Sequence, residues 1–452
     1  MDFFNAVKLA QKKFLASFGT VHIVSHLDCD GICSAAIIMQ TLKTLGRNYT
    51  LELLPQLSYE KIKELEKIPE ETILFTDLGS AHLGAIEETI NKQIFILDHH
   101  KPNKSVSKKN ITHVNPHNYG IDGGLEISGS GVAYYFSKEL VTESLADFAV
   151  IGAIGDSQEK GNFKGLNNEI LNESVQKGLV NVKKDLRFFG LYSKPLHKLL
   201  TLSYDTYIPG ITGNEHAAIN FIKALGIVLK KENKWVTYPE LNPEEKEKFK
   251  EAIIKKRATL NSPDDIFCMA YTSSKGTGSF FDLRETSTIL NACGRLGKGK
   301  LGCEALLGDI DKKKQAEEIL NTYRGKITDA LAWYNKNKNT FVRQKNFLII
   351  NAQSNIRSTM VGTLASILTR SKFVPEGTVV IILGREGNGL VKVSARVFGN
   401  KNIDLRKILF NTMKIINGES GGHRNAAGAV FKEKYEEKFI DEIKQILSKE
   451  CS

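Results

Sequence analysis

Short apolar runs and amphipathic stretches alternate along the first third of the chain. Residues 21–24, 73–76 and 94–97 are mostly apolar and bounded by turn residues, which predicts strands. Residues 33–45, 60–67 and 81–91 carry helical spacing, and residues 1–14 read as an amphipathic helix. This alternation predicts an α/β fold built on a parallel sheet with helices on both faces. In such sheets ligands gather beyond the carboxyl ends of the strands. Residues 165–335 read differently: helix-rich and Lys-rich, without a strand rhythm. Residues 244–259 and 312–323 predict solvated charged helices, with Trp333 and Tyr334 in a further helix. Strand rhythm returns at 347–350, 378–383 and 390–397, followed by a Gly-rich stretch at 417–429 and a closing helix at 433–447. The expected organisation is an N-terminal parallel-sheet domain over 1–165, a helix-rich insertion and connecting region over 166–340, and a smaller C-terminal α/β domain over 341–452.

Composition bounds the function. With 41% apolar and 25% charged residues in 452, the chain can bury several cores without disulfides. Lys and Arg exceed Asp and Glu by 62 to 51, a net charge of +11, which favours a polyanionic partner. The six cysteines form no C-x-x-C pair, so a zinc knuckle is not expected, and Cys29 and Cys33 read as reduced, buried residues. No apolar run approaches the ~20 residues that span a bilayer, and the N-terminus does not read as a signal peptide. The expectation is a cytoplasmic protein without a membrane partner.

Candidate chemistry collects at the ends of the apolar runs. In Ser25-His26-Leu27-Asp28-Cys29-Asp30-Gly31, extended backbone would put His26, Asp28 and Asp30 on one face, with Gly31 allowing a tight turn into the helix. The same segment also suits a helix N-cap with exposed acids. Asp77 follows the second run, Asp98-His99-His100 the third, and Asp156 ends Gly152-Ala153-Ile154-Gly155-Asp156, where small residues permit close backbone approach. A parallel sheet would bring these groups to one edge, where like charges repel unless cations lie between them. Carboxylates mixed with imidazoles suit Mn²⁺, with Mg²⁺ the alternative. There are enough ligands for two ions ~3.5–4 Å apart, an arrangement that activates water and neutralises a phosphoryl group.

The order H-x-D-x-D-G, Asp, D-H-H and G-x-x-G-D over residues 25–156 resembles the four motifs of the DHH phosphoesterases. The resemblance implies that His26 and Asp28 bind one metal and that Asp30, His99 and Asp156 bind the other, with Asp77 bridging. It also implies that His100 contacts the scissile phosphate while Asp98 orients the histidines. His113 and His117 lie near the site in the family pattern. Further on, Gly421-Gly422-His423-Arg424-Asn425-Ala426-Ala427-Gly428 is similar to the G-G-H-x-x-A-A-G of the companion DHHA1 domain, and Ser394 and Arg396 resemble its phosphate-binding pair. Ser394, Arg396, Gly421, Gly422, His423 and Arg424 are then the expected substrate-binding residues, with the nucleotide held between the two domains.

Residues 282–297 and 356–365 look like archaeal RecJ-like exonucleases, the group that includes the GINS-associated nuclease. The chain departs from bacterial RecJ in opening its first motif with His26 instead of Asp, and in being too short for the added OB-fold domain. The resemblance implies a metal-dependent exonuclease on single-stranded DNA or RNA acting in DNA replication and repair, with the GINS complex as a partner. A hydrolase of short oligoribonucleotides or small nucleotides on the same domains is the second reading, and a non-catalytic replisome scaffold the third. The complete ligand set weighs against the scaffold, and the basic surplus weighs toward the nuclease.

Overall fold

The structure is a computed structural model and describes residues 2–203, 206–260, 263–370, 374–387, 389–399 and 403–450. It parts into two compact units, residues 1–320 and 321–452.

The first unit opens with α1 (Phe3–Leu15), whose side-chain cap is Asp2. Then β1 (Val21–His26), α2 (Cys29–Thr44), β2 (Tyr49–Leu54), α3 (Tyr59–Glu66), β3 (Thr72–Thr76), α4 (Leu83–Thr89), β4 (Gln93–Leu97) and β5 (Ile111–Val114) build a five-stranded sheet in the order β2-β1-β3-β4-β5. Every pairing is parallel. The strands alternate two cores. Ile23, Leu74, Phe95 and Leu97 pack with α1, α2, α5 (Gly129–Ser137) and α6 (Ala146–Gly155) on one face. Val24, Ile73, Phe75, Ile94 and Ile96 pack with α3 and α4 on the other. Two-sided burial is why these strands read as apolar runs instead of alternating ones. Because the connections leave β1 in opposite directions, the strand order reverses between β1 and β3, where α/β sheets bind their ligands.

The rest of this unit is helix-rich, as expected, but it also holds strands where no strand rhythm was legible. After α7 (Gly165–Gln176), β6 (Val180–Leu186) pairs antiparallel across a long excursion with β9 (Phe267–Ser273). Between them lie α8 (Leu196–Thr201), α9 (Glu215–Ala224), the short β7 (Lys230–Lys231) and β8 (Lys234–Trp235) hairpin, and α10 (Pro243–Lys256) around a separate core that includes Leu199, Ile222 and Phe249. Next come α11 (Leu283–Arg295), α12 (Gly299–Leu306) and α13 (Ile310–Asn337). Trp333 and Tyr334 belong to the same long helix as residues 312–323, not to a further one.

In the second unit, β10 (Val342–Gln344), β11 (Phe347–Asn351), α14 (Val361–Arg370), β12 (Val379–Glu386), β13 (Leu390–Arg396), α15 (Leu405–Ile416), β14 (Glu419–His423), β15 (Ala426–Lys432) and α16 (Glu436–Glu450) form a mixed six-stranded sheet, order β10-β11-β12-β13-β15-β14, with helices packed against it. The expected Gly-rich stretch is a hairpin of β14 and β15.

Candidate metal centre

Strand ends build the cluster. His26 closes β1, Asp77 follows β3, and Asp98, His99 and His100 follow β4. The expected extended alternation from His26 to Asp30 does not continue. Asp28 is the N-cap of α2, its carboxylate accepting from the Gly31 N–H at 3.1 Å, and Asp30 lies in the first helical turn. Gly31 is thus a helical residue and not the hinge of a turn. A carboxylate suits the exposed N–H groups of a helix start, so Asp28 is at once a cap and a neighbour of His26, 2.9 Å from its Nδ1.

Asp30 is drawn to the other side by α5, where the Gly129 and Ser130 N–H groups donate to its two oxygens at 2.7 and 3.0 Å. Asp156 caps the carboxyl end of α6. That helix comes in close because Gly152 carries no side chain, since a Cβ there would strike the Asp30 carboxylate and the Ser130 hydroxyl.

The ligand atoms fall into three sets, each within 4.8 Å: His26, Asp28 and Asp77; Asp30, His99 and Asp156; and Asp77, Asp98, His99 and His100. Asp77 joins the sets, with Oδ1 3.2 Å from His99 Nε2 and Oδ2 3.8 Å from His26 Nδ1. Its backbone sits at φ 57°, a left-handed conformation uncommon outside glycine, held by its N–H on the Leu97 carbonyl at 3.0 Å. Asp98 is fully buried and accepts from the Ser80, His99 and His100 N–H groups and from His100 Nδ1 at 2.8 Å. His113 and Asn115 both reach the Ser80 hydroxyl, at 2.9 and 2.8 Å, and Asn115 also donates to the His100 carbonyl.

The charges decide what fits here. Burial raises the Asp30 carboxyl, with the Asp156 charge adding to it against the pull of His99. Burial and the Asp30 charge together push Asp77 well above the carboxylate range. For His99 burial alone would lower the imidazole, yet the bond to Asp77 and the charges of Asp156, Asp77 and Asp30 push it well up. Burial would raise Asp98 too, but the His100 imidazole and His99 hold it far below the usual range. Buried acids that face one another call for positive charge between them, and a divalent cation set among these oxygens and imidazole nitrogens supplies it. The donor set therefore fits a metal centre. His113 stands apart, pushed down to about 4 by burial, and is a neutral hydrogen-bonding residue.

Some contributors carry no motif of their own. Gln158 donates to Asp156, Asn291 of α11 accepts from the Cys29 N–H at 3.1 Å, and the Ser128-Gly129-Ser130 start of α5 serves Asp30. The one legible signal among these is that helix start, a small-residue run opening an apolar helix. The close seat of α11 depends on Gly294, where a Cβ would run into the Leu27 carbonyl.

In the second unit the remaining candidates line up across the sheet. Ser394 pairs with Gly428, which pairs with Gly421, and Arg396 pairs with Ala426, which pairs with His423. Ser394 is buried, and Arg396 Nη1 donates to the Ala395 and Ala427 carbonyls at 2.8 and 3.2 Å. Gly422 has φ 121°, and Arg424 donates from Nε to the Ile403 carbonyl at 3.3 Å. His423 contributes its backbone to β14, and its side chain lies outside the described residues. No helix among the described residues is long and apolar enough to cross a membrane.

Comparison with known proteins agrees with this anatomy. The DHH family N-terminal domain matches residues 20–153, the DHH-CID domain 188–266 and the DHHA1 domain 344–449. An uncharacterized protein of Methanocaldococcus jannaschii is 29% identical over 454 residues, covering 98% of this chain and 96% of that one. Among solved structures, RecJ of Thermus thermophilus in complex with Mn²⁺ superposes with a TM-score of 0.60 at 16% identity, over 99% of this chain but only 55% of that protein. An exonuclease RecJ bound to manganese gives 0.56 at 15% identity over 99% and 94% of the two chains. CDC45 from Entamoeba histolytica gives 0.61 at 14% identity over 98% of each. With DHH, DHH-CID and DHHA1 domains in this order, the chain belongs to the DHH/DHHA1 family and shares the fold of RecJ.

Proposed function

We propose that the protein is a metal-dependent exonuclease that hydrolyses single-stranded DNA or RNA from an end. The observation that carries this reading is the pair of ligand sets, His26–Asp28–Asp77 and Asp30–His99–Asp156, with the two Asp77 oxygens turned toward one histidine of each. Two divalent ions, Mn²⁺ first and Mg²⁺ second, fit these donors, and the chemistry such a pair supplies is neutralisation of a phosphoryl group and acidification of water. The chain's own residues do the rest. Asp98 fixes His100 through Nδ1, and the half-exposed ring presents Nε2 to the scissile phosphate. Ser394, Arg396, Gly421, Gly422, His423 and Arg424 grip the terminal nucleotide, the guanidinium of Arg396 being set by two carbonyls. In this division residues 1–165 carry catalysis, 166–340 connect, and 341–452 bind substrate. The net charge of +11 favours a polyanion longer than a dinucleotide.

The resemblance to GINS-associated nucleases extends the proposal to the GINS complex as a partner, testable by co-purification of the two recombinant components. The nuclease itself is tested with end-labelled single-stranded DNA and RNA and Mn²⁺, resolving product lengths. Mononucleotides accumulating from one end support it. Cleavage of dinucleotides alone supports the small-substrate reading, and no product with either polymer supports the scaffold.

A further inference from the structure

We infer that Gln158 and Asn167, a buried amide pair outside every recognised motif, are positioning residues for one of the two ion sites. The inference rests on the two-ion reading above. Gln158 is 5% exposed and Asn167 2%. A glutamine amide has two N–H donors and one carbonyl, and here all are engaged. Nε2 donates to the Asp156 carboxylate at 2.7 Å and to the Gly123 carbonyl at 2.9 Å, while Oε1 accepts from Asn167 Nδ2 at 2.5 Å. The Gly123 carbonyl also accepts from His99 Nδ1 at 2.6 Å. A carbonyl there fixes the proton on Nδ1 and leaves Nε2 of the neutral ring as the ligand nitrogen. Gln158 therefore sets the orientation of Asp156 directly and that of His99 through one shared acceptor.

Asn167 carries the network to the third member of the set. Its Oδ1 accepts from the Ser128 N–H at 3.3 Å, and its own N–H donates to the Glu126 carbonyl at 2.7 Å. The Ser128 hydroxyl meets that of Ser130 at 2.9 Å, and the Ser130 N–H donates to Asp30. Asp30, His99 and Asp156 are thus tied to the same two amides. The hydrogen bonds traced from Gln158 and Asn167 end on Asp30, His99 and Asp156, whereas Asp28 caps α2 and lies 2.9 Å from His26 Nδ1. The consequence is selective: disturbing Gln158 should loosen one ion and spare the other.

The test compares wild type with Gln158→Met, which keeps the volume and removes both donors, and with Gln158→Glu, which keeps the acceptor for Asn167 but sets a carboxylate against Asp156. Mn²⁺ is titrated by calorimetry, and electron paramagnetic resonance reports exchange coupling between neighbouring ions. Wild type is expected to take two coupled Mn²⁺. Each variant should keep one site at wild-type affinity, weaken the other by about 10–100-fold and lose the coupled signal, with an unchanged melting temperature. Two sites of unaltered affinity in both variants would overturn the inference, as would equal weakening of both sites. Failure of both variants to fold would also overturn it, by showing the amides to be structural. If wild type itself bound no Mn²⁺, the two-ion reading would fall, a result distinct from either.

Discussion

At the scale of single residues, Asp77 concentrates most of the site's design. It is nearly fully buried, held in a left-handed backbone conformation and placed so that its two oxygens address different histidines. Asp77→Ala should cut hydrolysis by at least about a hundredfold, since the charge stabilisation at stake is several kcal/mol, and should leave the circular dichroism spectrum unchanged. Near-normal turnover at saturating Mn²⁺ would remove it from the bridge. Asp147 gives a second residue-scale expectation. Burial pushes its carboxyl up from 3.8 to about 6. The folded state therefore prefers the protonated acid, so this contribution is present below pH 3.8 and is lost as pH rises through about 6. Asp147→Asn should raise stability above about pH 7, by at most about 3 kcal/mol, and change nothing near pH 3, as read from denaturant melts at both values.

At the scale of elements, the sequence displayed its buried strands and concealed its edges. β1, β3 and β4 are covered on both faces and read as apolar runs, whereas β2 borders the sheet without a fully buried residue and β5 holds only four residues. β6 carries Lys183, Lys184 and Asp185, and its partner β9 lies some eighty residues away, so nothing local marks it as a strand. The acids and histidines were legible because each stands at a strand or helix end. Gln158, Asn167 and Asn291 were not, because an amide acting through hydrogen bonds has no spacing rule and becomes meaningful only when α6, α7 and α11 converge. The hairpin of β14 and β15 lies beside β13 in register, which brings Arg396 level with His423 two strands away. Arg396→Ala should raise KM about tenfold or more, the scale of one charged hydrogen bond, with a smaller change in kcat. A loss confined to kcat in steady-state kinetics would argue that the strand does not hold substrate.

At the scale of the whole molecule, the chain parts into two compact units and carries a basic surplus. A strand of about twelve nucleotides should bind more tightly than a dinucleotide, and each added phosphate contact should steepen the decline of log K with log salt by ~0.7. Equal binding of both substrates across a salt series would point to a small-nucleotide hydrolase. The candidate ligands span residues 26 to 156 and come from the end of one parallel strand, the loops after two others and the ends of two helices, so they meet only once the sheet has formed. An unfolded chain offers a cation scattered single groups. Mass action then makes the cation a ligand of the native state alone, adding about 2.7 kcal/mol at a hundredfold excess over its dissociation constant. The melting temperature should therefore climb with the logarithm of Mn²⁺ concentration and fall back on chelation, so that metal supply governs how long the protein survives heat.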